Sequence, residues 1–306
     1  MTWTAAPFVG DGVRRQVALP PPPPWRTFPR PSLASAFQPT EGLTDAVNAA
    51  LLLRRPLLLT GAPGSGKSTV IEAVSDELGL GPVLRWHITS RSTLSDALYR
   101  YDPLGRIHAQ QLHQDDDIGV FMQLGPLGTA LLPGPSQALL IDEIDKSDLD
   151  LASDLLDVLE RGEFEIPELA RLNDRRSVAI RRWDSRKAAE IVDGRVRCTE
   201  FPFIVMTSNG ERDFPAPFLR RCIRYTMPRP TPEILSRVVS AHLAGADEAI
   251  VQQLIQAYLL RLNNGEQVAV DQLLNAVHLL SGSHAPTGAE RSEFLTSIVM
   301  HDLSGG

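Results

Sequence analysis

The stretch Pro56-Leu57-Leu58-Leu59-Thr60-Gly61-Ala62-Pro63-Gly64-Ser65-Gly66-Lys67-Ser68-Thr69 decides the fold. Its apolar start lies between Arg54-Arg55 and a glycine-rich turn, which predicts a short buried strand over Pro56–Thr60. Residues 61–68 match G-x-x-x-x-G-K-[ST] and run into Lys67–Leu78, where Val70, Ile71 and Val74 recur at helical spacing and Gly79 suits a C-cap. A strand, this loop and a helix in that order form a phosphate-binding loop. Glycines let consecutive backbone N–H groups turn toward phosphate oxygens, and the helix N-terminus adds its positive dipole end. The candidate ATP-binding residues are therefore Gly61, Ala62, Pro63, Gly64, Ser65, Gly66, Lys67, Ser68 and Thr69. In this reading Lys67 bridges the β- and γ-phosphates and the Ser68 hydroxyl is a ligand to Mg2+.

Working outward, a second strand over Gln137–Ile141 ends in Asp142-Glu143, about 75 residues after the loop. Acids that emerge at the carboxyl end of a buried strand lie where open α/β sheets bind ligands. Asp142 is the second candidate metal ligand beside Ser68. Glu143 is the candidate that polarises an attacking water. Neighbouring residues on a strand face opposite ways, so two roles for two adjacent acids are geometrically sensible. A glutamate directly after the metal aspartate argues for hydrolysis by water rather than transfer to a small molecule.

Further apolar runs over Val83–Ile88, Phe201–Met206 and Ile223–Met227 predict strands. Helices are predicted over Thr44–Leu53, Ser92–Tyr99 and Asp148–Glu160, the last with Leu151, Leu155, Leu156 and Leu159 on one side. Uniformly apolar strands alternating with helices indicate an α/β fold whose parallel sheet is covered on both faces. From Pro232 the pattern is purely helical: Glu233–His242, Asp247–Arg261, Val270–Leu280 and Glu290–Met300. The expected organisation is a flexible Pro-rich tail over 1–36, a nucleotide-binding domain over 37–230 and a helical lid over 231–306. The unbroken proline run Pro20–Pro24 cannot join a helix or a central strand. It reads as an extended leader, with a ligand for an aromatic groove as the alternative.

Composition narrows the class. At 306 residues and 43% hydrophobic, the chain can bury a large core. A net charge of −7 gives no general pull toward nucleic acid. Two cysteines, Cys198 and Cys222, are too few for a disulfide framework and fit a reduced compartment. No long apolar run or signal-like leader is present, so the expectation is a cytoplasmic protein without membrane contact. Of the 30 basic residues only Lys67, Lys146 and Lys187 are lysines.

With both motifs placed, the chain resembles AAA+ ATPases, specifically the MoxR-like group. The resemblance rests on PLLLTGAPGSGKST, FMQLGPLGTALL, ALLIDEIDKSDLDLASDLLDVLERGEFEIPEL and FPFIVMTSNGERDFPAPFLRRC in that order, over about Phe37 to Pro228. It implies a P-loop NTPase core with a five-stranded parallel sheet flanked by helices and a small all-helical C-terminal lid, binding ATP and Mg2+. It makes Asn209 the sensor-1 residue, which contacts the γ-phosphate or the attacking water; an Asn-Gly turn is the bland alternative. It makes Arg221, or next Arg220, the finger that reaches a neighbouring subunit's γ-phosphate, with Arg212 as a further trans-acting arginine. A trans finger implies a homo-oligomer, a hexameric ring in this family. The family's partners include von Willebrand A-type proteins, and its activity is chaperone-like remodelling. Residues 163–197 resemble a hairpin insertion placed before sensor 1. Residues 99–106 form a candidate substrate-facing loop. One departure stands out: Glu266 and Gln267 sit where the lid helix carries a basic sensor-2 residue, so sensor 2 is expected to be absent.

Two rivals remain. A nucleic-acid-linked relative of the McrB type, using GTP, is disfavoured by the acidic balance. A nucleotide-gated switch with little turnover is favoured by the missing sensor 2. His108 and His113 lack partners at zinc-ligand spacing, and Asp115–Asp117 read as a solvated loop.

Overall fold

All five strands read from apolar runs pair in one parallel sheet in the computed structural model, which describes residues 8, 10–28, 37–113, 117–172, 177–281, 296–297 and 299–301. In chain order the strands are β1 (Leu57–Thr60), β2 (Leu84–His87), β3 (Tyr99–Tyr101), β4 (Met122–Leu124), β5 (Ala138–Asp142), β6 (Glu163–Glu165), β7 (Ser177–Arg181), β8 (Ala188–Val192), β9 (Arg195–Arg197), β10 (Phe203–Ser208) and β11 (Ile223–Thr226). The helices are α1 (Leu43–Leu53), α2 (Lys67–Leu78), α3 (Leu94–Leu98), α4 (Pro103–Gln111), α5 (Pro126–Ala130), α6 (Leu149–Arg161), α7 (Pro167–Ala170), α8 (Ala216–Leu219), α9 (Pro232–His242), α10 (Glu248–Asn263) and α11 (Val270–Ser281). The parallel sheet runs β11-β1-β10-β5-β2. Its centre is buried: every residue of β10 is buried, Thr207 and Ser208 included, as are Leu57, Leu58 and Leu59 of β1. On α6 Leu151, Leu155, Leu156 and Leu159 face the core as their spacing predicts.

A second, six-stranded sheet runs β3-β4-β7-β8-β9-β6. The hairpin expected within 163–197 accounts for four of these strands, and two more join it from earlier in the chain. The predicted helix over Ser92–Tyr99 is shorter than expected. Thr93 caps its start through Asp96 N, and at Tyr99 the backbone turns extended, with φ −162°. Tyr99 and Tyr101 then pair with Leu124 and Met122. Aromatic side chains favour a pleated surface over a helix end, which is why the helix stops there. The candidate substrate-facing loop over 99–106 is thus β3 followed by the first turn of α4, which Asp102 caps through Gly105 N.

Two glycines of the Gly125-Pro-Leu-Gly128 segment let backbones meet. A Cβ on Gly125 would lie 2.3 Å from Ala97 O, and one on Gly128 would lie 1.9 Å from Leu98 O. The obstacle is a carbonyl on α3, which no rotamer change can move. Gly128→Ala should therefore cost about 3 kcal/mol or more in denaturant unfolding, as overpacking of a tight core does. Gly79→Ala has open space and only the penalty of a left-handed φ of +64°, so it should cost about 1–2 kcal/mol. Equal losses at the two positions would refute the backbone-contact argument.

The described residues divide into two compact units. One comprises Pro39–Gly61 and Lys67–Thr226 and contains both sheets. The other groups the helical segment from Met227 onward with Ala62–Gly66 and the N-terminal residues up to Gln38. Its core is built from Leu235 and Val239 of α9, Val251, Leu254 and Ile255 of α10, and Leu273 and Val277 of α11. Thr231 caps α9 and Asp247 caps α10. Trp25, in the Pro-rich stretch read from sequence as a flexible leader, packs on this core. Its indole N–H donates to Asn275 Oδ1 at 3.0 Å, and its ring meets His242 and His278 edge-on. The predicted helix Glu290–Met300 and Asp115-Asp116 lie largely outside the described residues. No described helix is long and apolar enough to cross a membrane.

Candidate functional site

Strands β1, β10 and β5 are adjacent and parallel, so their carboxyl ends deliver Gly61, Asn209 and Asp142-Glu143 to one edge of the sheet. The loop after β1 turns on glycines at positive φ: Gly61 (+151°), Gly64 (+71°) and Gly66 (+83°). It ends at Lys67, the first residue of α2, which is only 7% exposed. Lys67 Nζ donates to Gly61 O at 2.7 Å and to Asn209 Oδ1 at 2.9 Å. Burial pulls this ammonium below its usual pKa, and the carboxylates of Asp145, Asp142 and Glu143 oppose that pull. The Ser65 hydroxyl in the same loop is buried without a hydrogen-bond partner. An orphaned hydroxyl and a desolvated lysine on a glycine loop fit a phosphate-bearing ligand.

Asp142 Oδ1 accepts two hydroxyls, Ser68 Oγ at 2.9 Å and Thr207 Oγ1 at 2.6 Å. This hydroxyl–carboxylate set offers only oxygen donors, which suits a hard cation such as Mg2+. Thr207 also accepts from Glu143 N at 2.9 Å. The strand ends at Asp142, and Glu143 has φ +61°, a left-handed conformation rare outside glycine and asparagine. The divergence of the two acids thus comes from this left-handed step, not from strand alternation as the sequence suggested. Glu143 Oε2 is held by Lys146 Nζ at 2.6 Å and lies 3.4 Å from His87 Nε2. The bond to Glu143 raises the Lys146 pKa.

Four members of this cluster escaped the sequence reading. Thr207 is a polar residue inside a buried strand, a signal that was available. His87 was not legible, because only the sheet order places it in register with Asp142. Lys146 stood out only as one of three lysines, and Asp145 carries no local mark in the sequence. Asp145 is 2% exposed, and its Oδ2 accepts from Asn209 N at 2.9 Å and Glu211 N at 3.1 Å. A cleft of about 420 Å³ opens beside it, lined also by His87, Thr89, Lys146, Glu211 and Arg212.

Arg220 and Arg221 are placed apart from the cluster. Arg221 Nε donates to Glu160 Oε1 at 2.8 Å on α6, and the Arg220 carbonyl accepts from Arg55. Both residues are exposed, and among the described residues neither bonds Lys67, Asp142, Glu143 or Asn209. Arg212 instead donates to Ser147 O at 2.6 Å within its own chain. In the helical unit, α11 starts at Val270, where its spacing predicts, and Glu266, ahead of it, pairs with Arg261 at 2.9 Å.

Residues 56–222 match the AAA domain family, dynein-related subfamily. Among solved structures, NtrX from Brucella abortus in complex with ADP aligns at 15% identity and a TM-score of 0.45, over 86% of this chain and 55% of that one. Domain III of the Thermotoga maritima replication initiation protein DnaA aligns at 13% identity and a TM-score of 0.46, over 88% of this chain and 96% of that one. The chain spans about half the length of the NtrX protein it aligns with. No curated protein matches it.

Proposed function

Because the chain belongs to the AAA domain family, dynein-related subfamily, over residues 56–222, we propose that it is a MoxR-like, Mg2+-dependent ATPase that assembles into a ring and remodels a protein partner. The carrying observation is the meeting of Lys67, Asp142, Glu143 and Asn209 at one sheet edge. A von Willebrand A-type partner belongs to the same proposal through the resemblance that the motifs carry, and a cytoplasmic setting through the two free cysteines, which suit a reduced compartment.

The chemistry is positioning and charge stabilisation. The Lys67 ammonium, lent to Gly61 O and Asn209 Oδ1, is preorganised to neutralise phosphate oxygens. Ser68 and Asp142 would hold Mg2+, which when bound polarises phosphoryl oxygens. The Glu143 carboxylate orients a water and accepts its proton, and Thr207 fixes the backbone from which it projects. Asn209, anchored through its own N–H, keeps its amide oxygen on Lys67.

Arg221 would act on a neighbouring subunit. Its exposed pair with Glu160 is worth little in water and is easily surrendered. Arg221→Ala should lower turnover about 10³-fold, as loss of an arginine finger does, with nucleotide affinity nearly unchanged. Mixing Arg221→Ala with Glu143→Gln subunits should restore part of the activity, because one supplies the intact site and the other the arginine. No rescue at any mixing ratio would exclude a trans finger.

The test of the whole reading is steady-state ATP and GTP hydrolysis across a protein dilution series. Specific activity rising with concentration for ATP supports a ring ATPase. A second reading, a nucleotide-gated switch, is favoured by the hold of Lys146 and His87 on Glu143. It requires tight binding with no turnover at any concentration.

A further inference from the structure

Asp145 is an acid buried to 2% exposure, which is rare for a carboxylate unless its partners are specific. Oδ2 accepts two hydrogen bonds, from the backbone N–H groups of Asn209 and Glu211. Oδ1 is buried with no partner. A fully desolvated carboxylate spent on one short loop is an expensive device for stability alone.

One further contact ties the same loop to the same turn, and two more brace the turn and the loop from within. Arg212 Nη1 donates to Ser147 O, Ser147 Oγ donates to Ile144 O at 2.7 Å, and Gly210 N donates to Ser208 Oγ at 3.0 Å. The turn that follows Asp142-Glu143 is therefore the platform on which residues 209–212 are mounted. Asn209 occupies the first seat of that platform. Its N–H is fixed by Asp145, and its side-chain oxygen receives the Lys67 ammonium at 2.9 Å.

We propose that Asp145 is the positioning residue of the nucleotide-sensing asparagine: its carboxylate locks the 209–211 backbone to the acidic turn, so that Asn209, Lys67 and Glu143 hold one register. Asp145 itself touches no reacting group. The inference rests on the reading of Asn209 and Lys67 as nucleotide contacts, and it also makes a claim about loop order that stands apart from activity.

The substitutions separate geometry from charge. In Asp145→Asn the amide oxygen can still accept both N–H groups. In Asp145→Ala neither has a partner. The full chain would be followed by steady-state kinetics, by binding of a fluorescent ATP analogue, and by amide hydrogen exchange across 208–212. Asp145→Ala should lower kcat about 10²-fold, as a small misplacement in a preorganised site does, with analogue affinity within about threefold. Exchange at Asn209 and Glu211 should rise about tenfold or more. Asp145→Asn should return exchange to the wild-type rate and kcat to within about fivefold of wild type.

Unchanged exchange and turnover in the alanine variant would overturn the proposal. So would an asparagine variant with protected amides and a kcat as low as alanine's, because charge rather than position would then be at work. Should the alanine variant not fold, Asp145→Ser takes its place with the same readouts. If the wild-type chain turns over no nucleotide, the ATPase reading fails, and the exchange rates of the 209–211 amides alone decide the role of Asp145.

Discussion

Glu143→Gln removes turnover and leaves nucleotide binding in place. The substitution keeps the length and shape of the side chain and the left-handed backbone at φ +61°, which glutamine tolerates as well as glutamate. What it loses is the proton acceptor. General-base removal of this kind costs about 10²–10⁴-fold in rate, so a fall of about 10³-fold in kcat is expected. Two further contacts change with it. The bond from Lys146 Nζ at 2.6 Å loses its charge assistance, as does the approach of His87 at 3.4 Å. Both lie on the exposed side of the site, so their loss should shift folding stability by about 1 kcal/mol or less. Phosphate hydrolysis and fluorescent-nucleotide titration on the same preparation check the result. A variant that keeps half of the wild-type rate would remove Glu143 from the chemistry.

Lys67→Ala acts at the opposite end of the site, on binding. The ammonium is buried and already dehydrated, so its bonds to phosphate oxygens would be made with no further desolvation of its own. Truncating one partner of such a buried charge pair costs about 2–5 kcal/mol, which corresponds to roughly 30- to 4,000-fold in Kd. The ligand-free fold should respond differently. Burial outweighs the neighbouring acids and pulls the Lys67 pKa down, so the charged lysine is a burden in the empty site. The melting temperature without nucleotide should therefore hold or rise. With nucleotide at a hundred times the wild-type Kd, wild type gains about 2.7 kcal/mol of stability. A variant that binds about 10³-fold more weakly gains under about 0.1 kcal/mol. A normal thermal shift in Lys67→Ala would show that the glycine loop is not the nucleotide cradle.

The parallel sheet was legible because its three central strands, β1, β10 and β5, are apolar runs ending in polar residues at the same edge. The loop at Gly61–Ser68, the acids at Asp142-Glu143 and Asn209 all follow such runs, and the structure brings them together. The second sheet was only half legible. β3 and β4 have three residues each, too short to show a period, and β4 pairs with β7 far along the chain at Gln123↔Arg181. Side chains that depend on sheet order, His87 above all, carry no local mark. Asp145 was hidden for another reason: an acid at the start of a helical stretch is usually a cap, and nothing nearby announces that its partners lie some sixty residues on. Trp25 was hidden by its prolines, which describe the backbone of the leader and not where the indole ring settles.

The scarcity of lysine has a practical side. Lys67 is buried and doubly bonded, and Lys146 is paired with Glu143. Lys187, in the turn between β7 and β8, is exposed. Among the lysine side chains, amine-reactive dyes will therefore react first at that turn, on the second sheet, with the Glu143-paired Lys146 slower. Lysine-directed cross-linkers will return almost no distance information from the rest of the molecule. Mapping of its assemblies calls for arginine- or carboxylate-directed reagents instead.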